Sequence, residues 1–215
     1  MKIVKSAAVY LLVAVSSPAL ALTSVNFAGG SGSLPADVTV FQNFETFAPG
    51  TPGASIGPNA FVFNDSVGGQ AARPAFGSTG NYATVQTGGL YSVSFGPTSV
   101  FSFVLGSLDT YNTLRLTYAD NTFQDYVGGQ IINDLTFPSG NQISGETNGV
   151  ITYRVTSGPK ITGATFTSSQ NSFEFDNLAA GAVPEPAAWG LLIGGFGMMG
   201  AVARRRRLGT SVTYA

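Results

Sequence analysis

The sequence predicts an all-β domain, an antiparallel β-sandwich of jelly-roll type, set between two targeting segments. Three observations predict it. No helical period longer than two turns runs between residues 37 and 178. Short runs rich in β-branched and aromatic residues recur there instead, several alternating apolar and polar with period two. Twenty-eight glycines and eleven prolines in 215 residues supply the turns that such a fold needs.

The elements follow in order. Residues 1–21 read as a secretory signal peptide: Lys2 and Lys5 precede a short apolar run, and Ala19-Leu20-Ala21 is a small-x-small cleavage site. The mature chain is then expected to start at Leu22, after passage through the Sec translocon and cutting by signal peptidase. The β-sandwich is assigned to 22–178. Strands are predicted at 37–44, 82–86, 90–95, 99–105, 113–118, 122–127, 150–155, 161–167 and 173–178. On the fifth, Leu114, Leu116 and Tyr118 share one face against Arg115 and Thr117. Thr87-Gly88-Gly89 and Ala119-Asp120-Asn121 read as hairpin connections. Residues 48–80 carry four prolines and many glycines and read as a long loop over the sandwich edge, with Phe61-Val62-Phe63 its one strand-like run. Residues 179–183 are small and read as a linker.

Composition narrows the chemistry. The chain has no cysteine and no histidine. That excludes disulfides, a cysteine nucleophile and any Ser-His-Asp arrangement. The whole chain has ten Lys and Arg against eleven Asp and Glu. Within 22–183 the balance is four basic to ten acidic residues, a net charge of −6. Such a body is a poor partner for nucleic acid.

The C-terminus is the most informative stretch. Residues 187–203 are uncharged, at the lower edge of the length that spans a bilayer. Trp189 stands at one end, where an interfacial aromatic belongs, and Arg204, Arg205, Arg206 and Arg207 close the other. The expectation is a transmembrane helix at 187–203, with the body outside and the tail 208–215 in the cytoplasm. The order Pro184-Glu185-Pro186, Trp189, glycine-rich apolar run and arginine block resembles the PEP-CTERM protein-sorting domain, in the spacing of its PEPxxW variant. The resemblance covers about 25 residues, 184–207. It implies a Gram-negative bacterium with an exopolysaccharide system. It also implies an exosortase, a membrane cysteine transpeptidase that recognises Pro184-Glu185-Pro186 and cleaves near it. The helix would then be a transient anchor, and the product a cell-surface or extracellular-matrix protein. Gly190 departs from the alanine common after the tryptophan.

Within the body the expectation is a non-catalytic protein associated with exopolysaccharide. The competing readings are a secreted polysaccharide-acting enzyme and an adhesin or structural subunit without glycan affinity. Tyr111 and Tyr126 are the candidate rings for stacking on sugars. Glu174 and Asp176, two apart on one strand, are read as polar residues on a solvated face rather than a catalytic pair. The early Glu45 and the late Asp176 also resemble, loosely, the pair that shares a calcium ion in jelly-roll carbohydrate-binding modules. That resemblance implies a structural calcium held by Glu45, Asp176 and Asn43.

Overall fold

The computed structural model describes residues 20–49, 53–181 and 186–206. Among the described residues twelve strands, with one 3-10 turn at Gly128–Gln130, are followed by one α-helix: β1 (Leu22–Gly29), β2 (Val38–Gln42), β3 (Ala54–Gly57), β4 (Ala60–Phe63), β5 (Tyr82–Val85), β6 (Gly89–Thr98), β7 (Val100–Leu105), β8 (Asn112–Tyr118), β9 (Phe123–Val127), β10 (Gly149–Ser157), β11 (Ile161–Ser168), β12 (Phe173–Gly181) and α1 (Pro186–Arg206). The strands form two antiparallel sheets in a sandwich. The large sheet runs β1-β10-β7-β12-β5-β4-β3, with β2 also paired to β12. The small sheet runs β6-β11-β8-β9.

The core is aromatic, because alternating strands send their bulky residues inward from both sheets. Phe166 of the small sheet stacks on Phe175 of the large one with ring centroids 3.8 Å apart. Phe103 and Phe173 meet the same ring edge-on at 5.2 and 5.4 Å.

All nine predicted strands are present, with ends shifted by a few residues. Strand β1 begins at Leu22, directly after the expected cleavage point. Ala21 packs half-buried on the core, while Ala19 and the rest of the expected signal peptide lie outside the described residues. Three differences have physical reasons. Residues 179–181 are not linker: Ala179, Ala180 and Gly181 pair with Val40, Thr39 and Val38. A Cβ on Gly181 would lie 3.1 Å from Thr98 Oγ1, so small residues let β12 continue where bulk would not fit. Thr87-Gly88-Gly89 is not a hairpin but a crossing from β5 in the large sheet to β6 in the small one. The expected loop 48–80 contains a hairpin of β3 and β4 that extends the edge of the large sheet.

The C-terminal helix forms as the apolar run predicts, and its described side chains, among them Leu192, Ile193, Phe196 and Met199, are exposed. The transmembrane expectation for 187–203 is not supported: among the described residues no helix is long and apolar enough to cross a membrane. Glycines at 190, 194, 195, 197 and 200 dilute the run, since they contribute length without apolar side chain. Pro184, Glu185, Arg207 and the tail 208–215 lie outside the described residues.

Candidate functional site

Glu174 and Asp176 both point away from the aromatic core, as period two requires, yet neither is solvated: each is 2% exposed. Residues 64–80 lie over them, which corrects the reading of a solvent face. The Ala72 amide and the Ser172 hydroxyl donate to Glu174 Oε1, the former at 2.9 Å. Ser107 Oγ reaches Oε2 at 3.4 Å. Ser78 Oγ donates to Asp176 Oδ2 at 2.7 Å. Gly106 makes room for this, since a Cβ there would stand 2.7 Å from Glu174 Cβ. Burial pushes the Glu174 carboxyl up to about 7, against the pull of its hydrogen bonds. Burial and then the charge of Glu45 push Asp176 up to about 6.

Glu174 also forms the base of a cavity of about 240 Å³. Its walls come from four separate segments: 66–72, Ser107 to Tyr111, Gly140 with Gln142, and Asn171 with Ser172. Tyr111 is half-buried at its rim. Its hydroxyl donates to Asp109 Oδ2 at 2.8 Å and lies 2.6 Å from the Asn171 carbonyl oxygen. Burial and the adjacent Asp109 hold the phenol well above its usual range. Asp109 Oδ1 accepts from Ser139 Oγ at 2.8 Å.

Tyr126 is placed differently. It is 6% exposed and packs on Tyr153 with centroids 4.8 Å apart, so its ring belongs to the core and offers no face to a sugar. The two predicted tyrosines are therefore not one platform. The reason is pleat parity: Tyr126 follows Asp125 on β9, and its side chain turns inward where that of Asp125 turns outward.

The outer face of the small sheet carries a second polar surface. Its cross-strand rows are Leu90-Thr167-Thr113-Val127 and Ser92-Thr165-Arg115-Asp125. Arg115 binds Asp125 through both ends, at 2.6 and 2.7 Å. Its guanidinium carbon lies 3.9 Å from the ring centre of Phe123, which is 57% exposed. A fixed guanidinium, a carboxylate, a row of hydroxyls and an open aromatic edge suit a neutral polyhydroxylated surface. The sequence reading passed over this constellation, although a hairpin closed at Asp120-Asn121 already sets Arg115 opposite Asp125.

The proposed calcium ligands lie near one another without closing a site. Glu45 Oε1 accepts from the Asn81 amide at 3.0 Å, and Asn43 Oδ1 from the Glu45 amide at 3.3 Å. The influence of Glu45 on Asp176 shows that the two carboxylates sense each other. Calcium takes about six to eight oxygens, so backbone carbonyls would have to complete the set. Among the described residues no group of three or more His, Cys, Asp or Glu is arranged to hold a metal.

Comparison with known proteins adds one specific match. The profile of the PEP-CTERM protein-sorting motif matches residues 182–207. No curated protein matches the sequence. Among solved structures the chain is similar to a glycoside hydrolase family 43 arabinoxylan arabinofuranohydrolase from Bacillus subtilis, in complex with cellotetraose. The identity is 15% and the TM-score 0.32, over 57% of this chain and 24% of that one. At that score the likeness carries no functional argument.

Proposed function

We propose, from a chain that carries a PEP-CTERM protein-sorting motif, that its β-sandwich holds exopolysaccharide at the cell surface without chemical turnover. The motif itself indicates an exported, exosortase-targeted protein sorted to the surface, and it is the observation that carries the reading. The polysaccharide follows from two features. The body lacks His and Cys, so turnover would fall to carboxylates, and Glu174 and Asp176 are buried and already hydrogen-bonded. Its small sheet presents hydroxyls beside Arg115, Asp125 and the exposed Phe123.

The test is retention of the purified protein on immobilised exopolysaccharide from the producing cell. Phe123→Ala is expected to weaken retention about tenfold, equivalent to about 1.4 kcal/mol, with little effect of salt. Absence of retention by the folded protein overturns the polysaccharide reading. Release of reducing sugar from the polymer overturns the non-catalytic one.

A structural calcium held by Glu45, Asp176 and Asn43 belongs to the same proposal. A bound ion stabilises the folded state by mass action. The melting midpoint is therefore expected to be higher in calcium than in chelator, and Glu45→Gln to remove the difference. Equal midpoints for the parent protein overturn it.

A further inference from the structure

The cavity above Glu174 is separate from the sheet face, yet the two are joined. Tyr111 lines the cavity and also a groove shared with Leu90, Thr113 and Thr167. Those three residues in turn line the depression that contains Arg115 and Asp125. Shared lining residues therefore connect the outer sheet face, past Tyr111, to the cavity that holds a buried carboxylate.

We propose that this cavity receives the terminal residue of a glycan chain, an uncharged sugar, while the following residues run past Tyr111 onto the small-sheet face. The proposal rests on the polysaccharide reading and adds to it the part of the polymer that is recognised. Size points to one ring: about 240 Å³ lies below the range of about 300–1,000 Å³ typical of sites for larger ligands. The base is closed, because Glu174, Ser172 and Ser107 are all buried there. A base closed in this way favours the end of a chain over a chain that runs straight through.

Charge selects the sugar. The lining includes the carboxylates of Glu174 and Asp109 and no lysine or arginine. A uronate or a phosphorylated sugar would bring an anion beside them without a counter-charge, which is costly in a buried site. A neutral sugar instead offers hydroxyl donors to acceptors that retain capacity. Glu174 Oε1 is occupied by the Ala72 amide and the Ser172 hydroxyl, whereas Oε2 has only the long contact with Ser107. A carboxylate has about four lone-pair sites, so Oε2 retains acceptor capacity in a residue that lines the pocket. Tyr111 is held at the mouth by Asp109 and Asn171. Its position is fixed before any ligand arrives, which lowers the ordering cost of binding.

The experiment is competition for retention on immobilised exopolysaccharide. The competitors, compared at equal mass, are the same polymer intact and after graded partial acid hydrolysis, which multiplies chain ends. Recognition of ends predicts that potency per mass rises several-fold as the chains shorten, and that the neutral fraction of the hydrolysate carries the gain. Gln142→Trp, which places bulk at the exposed rim of the cavity, is expected to abolish the gain while polymer retention through the Phe123 face persists. Glu174→Gln, with an unchanged melting midpoint, is expected to reduce the gain. Constant or falling potency on shortening overturns the inference and leaves the polysaccharide reading standing. A gain confined to the acidic fraction, or one unaffected by Gln142→Trp, also overturns it. No retention of the parent protein on the polymer overturns both.

Discussion

Replacing Pro184, Glu185 and Pro186 together with alanine is expected to abolish C-terminal processing. The released wild-type protein should begin near Leu22 and end close to this tripeptide, so its peptides should stop short of Trp189. The variant should retain peptides beyond Trp189, including those preceding the arginine block. An all-or-none effect is expected because the resemblance implies that the exosortase recognises this tripeptide within the motif that matches residues 182–207. The β-sandwich ends at Gly181, before the motif, so the substitutions leave the fold intact. Wild-type released protein carrying peptides beyond Trp189 would refute processing at this position. Wild-type-like trimming of the triple-alanine variant would refute recognition of the tripeptide.

Phe166→Ala is expected to be the most damaging single substitution in the body. The ring stacks on Phe175 at 3.8 Å and meets Phe103 and Phe173 edge-on, so it joins the two sheets through three aromatic contacts. Truncating a buried phenylalanine costs about 3–5 kcal/mol, partly for the cavity left behind. A domain is stable by about 5–15 kcal/mol in total, so about a fifth of its stability or more is at stake. Denaturant unfolding should show the midpoint falling with the slope unchanged. A loss below about 1 kcal/mol would mean that neighbouring rings collapse into the space. A Leu90→Ala control, on the exposed face, should stay within about 0.5 kcal/mol of the parent.

Much of the fold was legible locally. Leu114, Leu116 and Tyr118 alternate with Arg115 and Thr117, and that pattern placed β8 and its inward face correctly, because side chains on a strand have period two. Asp120 and Asn121 marked the β8–β9 turn: Asn121 adopts φ +65°, and Asp120 accepts from the Thr122 amide at 3.0 Å. Strand β1 was missed although Val25 and Phe27 alternate, because the targeting segment before it drew the reading to the cleavage site. Phe61-Val62-Phe63 read as strand-like and is β4, but β3 and its hairpin with β4 were not expected, because Pro49, Pro52, Pro58 and the surrounding glycines signalled loop, whereas pairing of β4 with β5 overrides that local preference.

The sequence by itself determined the chain's sorting signal, because the PEP-CTERM protein-sorting motif matches one contiguous run, residues 182–207, which is legible without any contact elsewhere in the chain. It also determined which residues build strands. Only the tertiary structure decided which polar residues meet. Glu174 looked like half of a solvated pair, and the crossing of residues 64–80 over the large sheet made it the buried base of a cavity. Tyr126 looked like a sugar platform, and pleat parity on β9 turned it into core while leaving Asp125 outside beside Arg115. Asp109, Gln142, Asn171 and Glu174 come together from positions up to 65 residues apart. The physical reason is that burial and convergence arise from contacts between segments distant in the chain, and no local pattern records which loop will cover which strand.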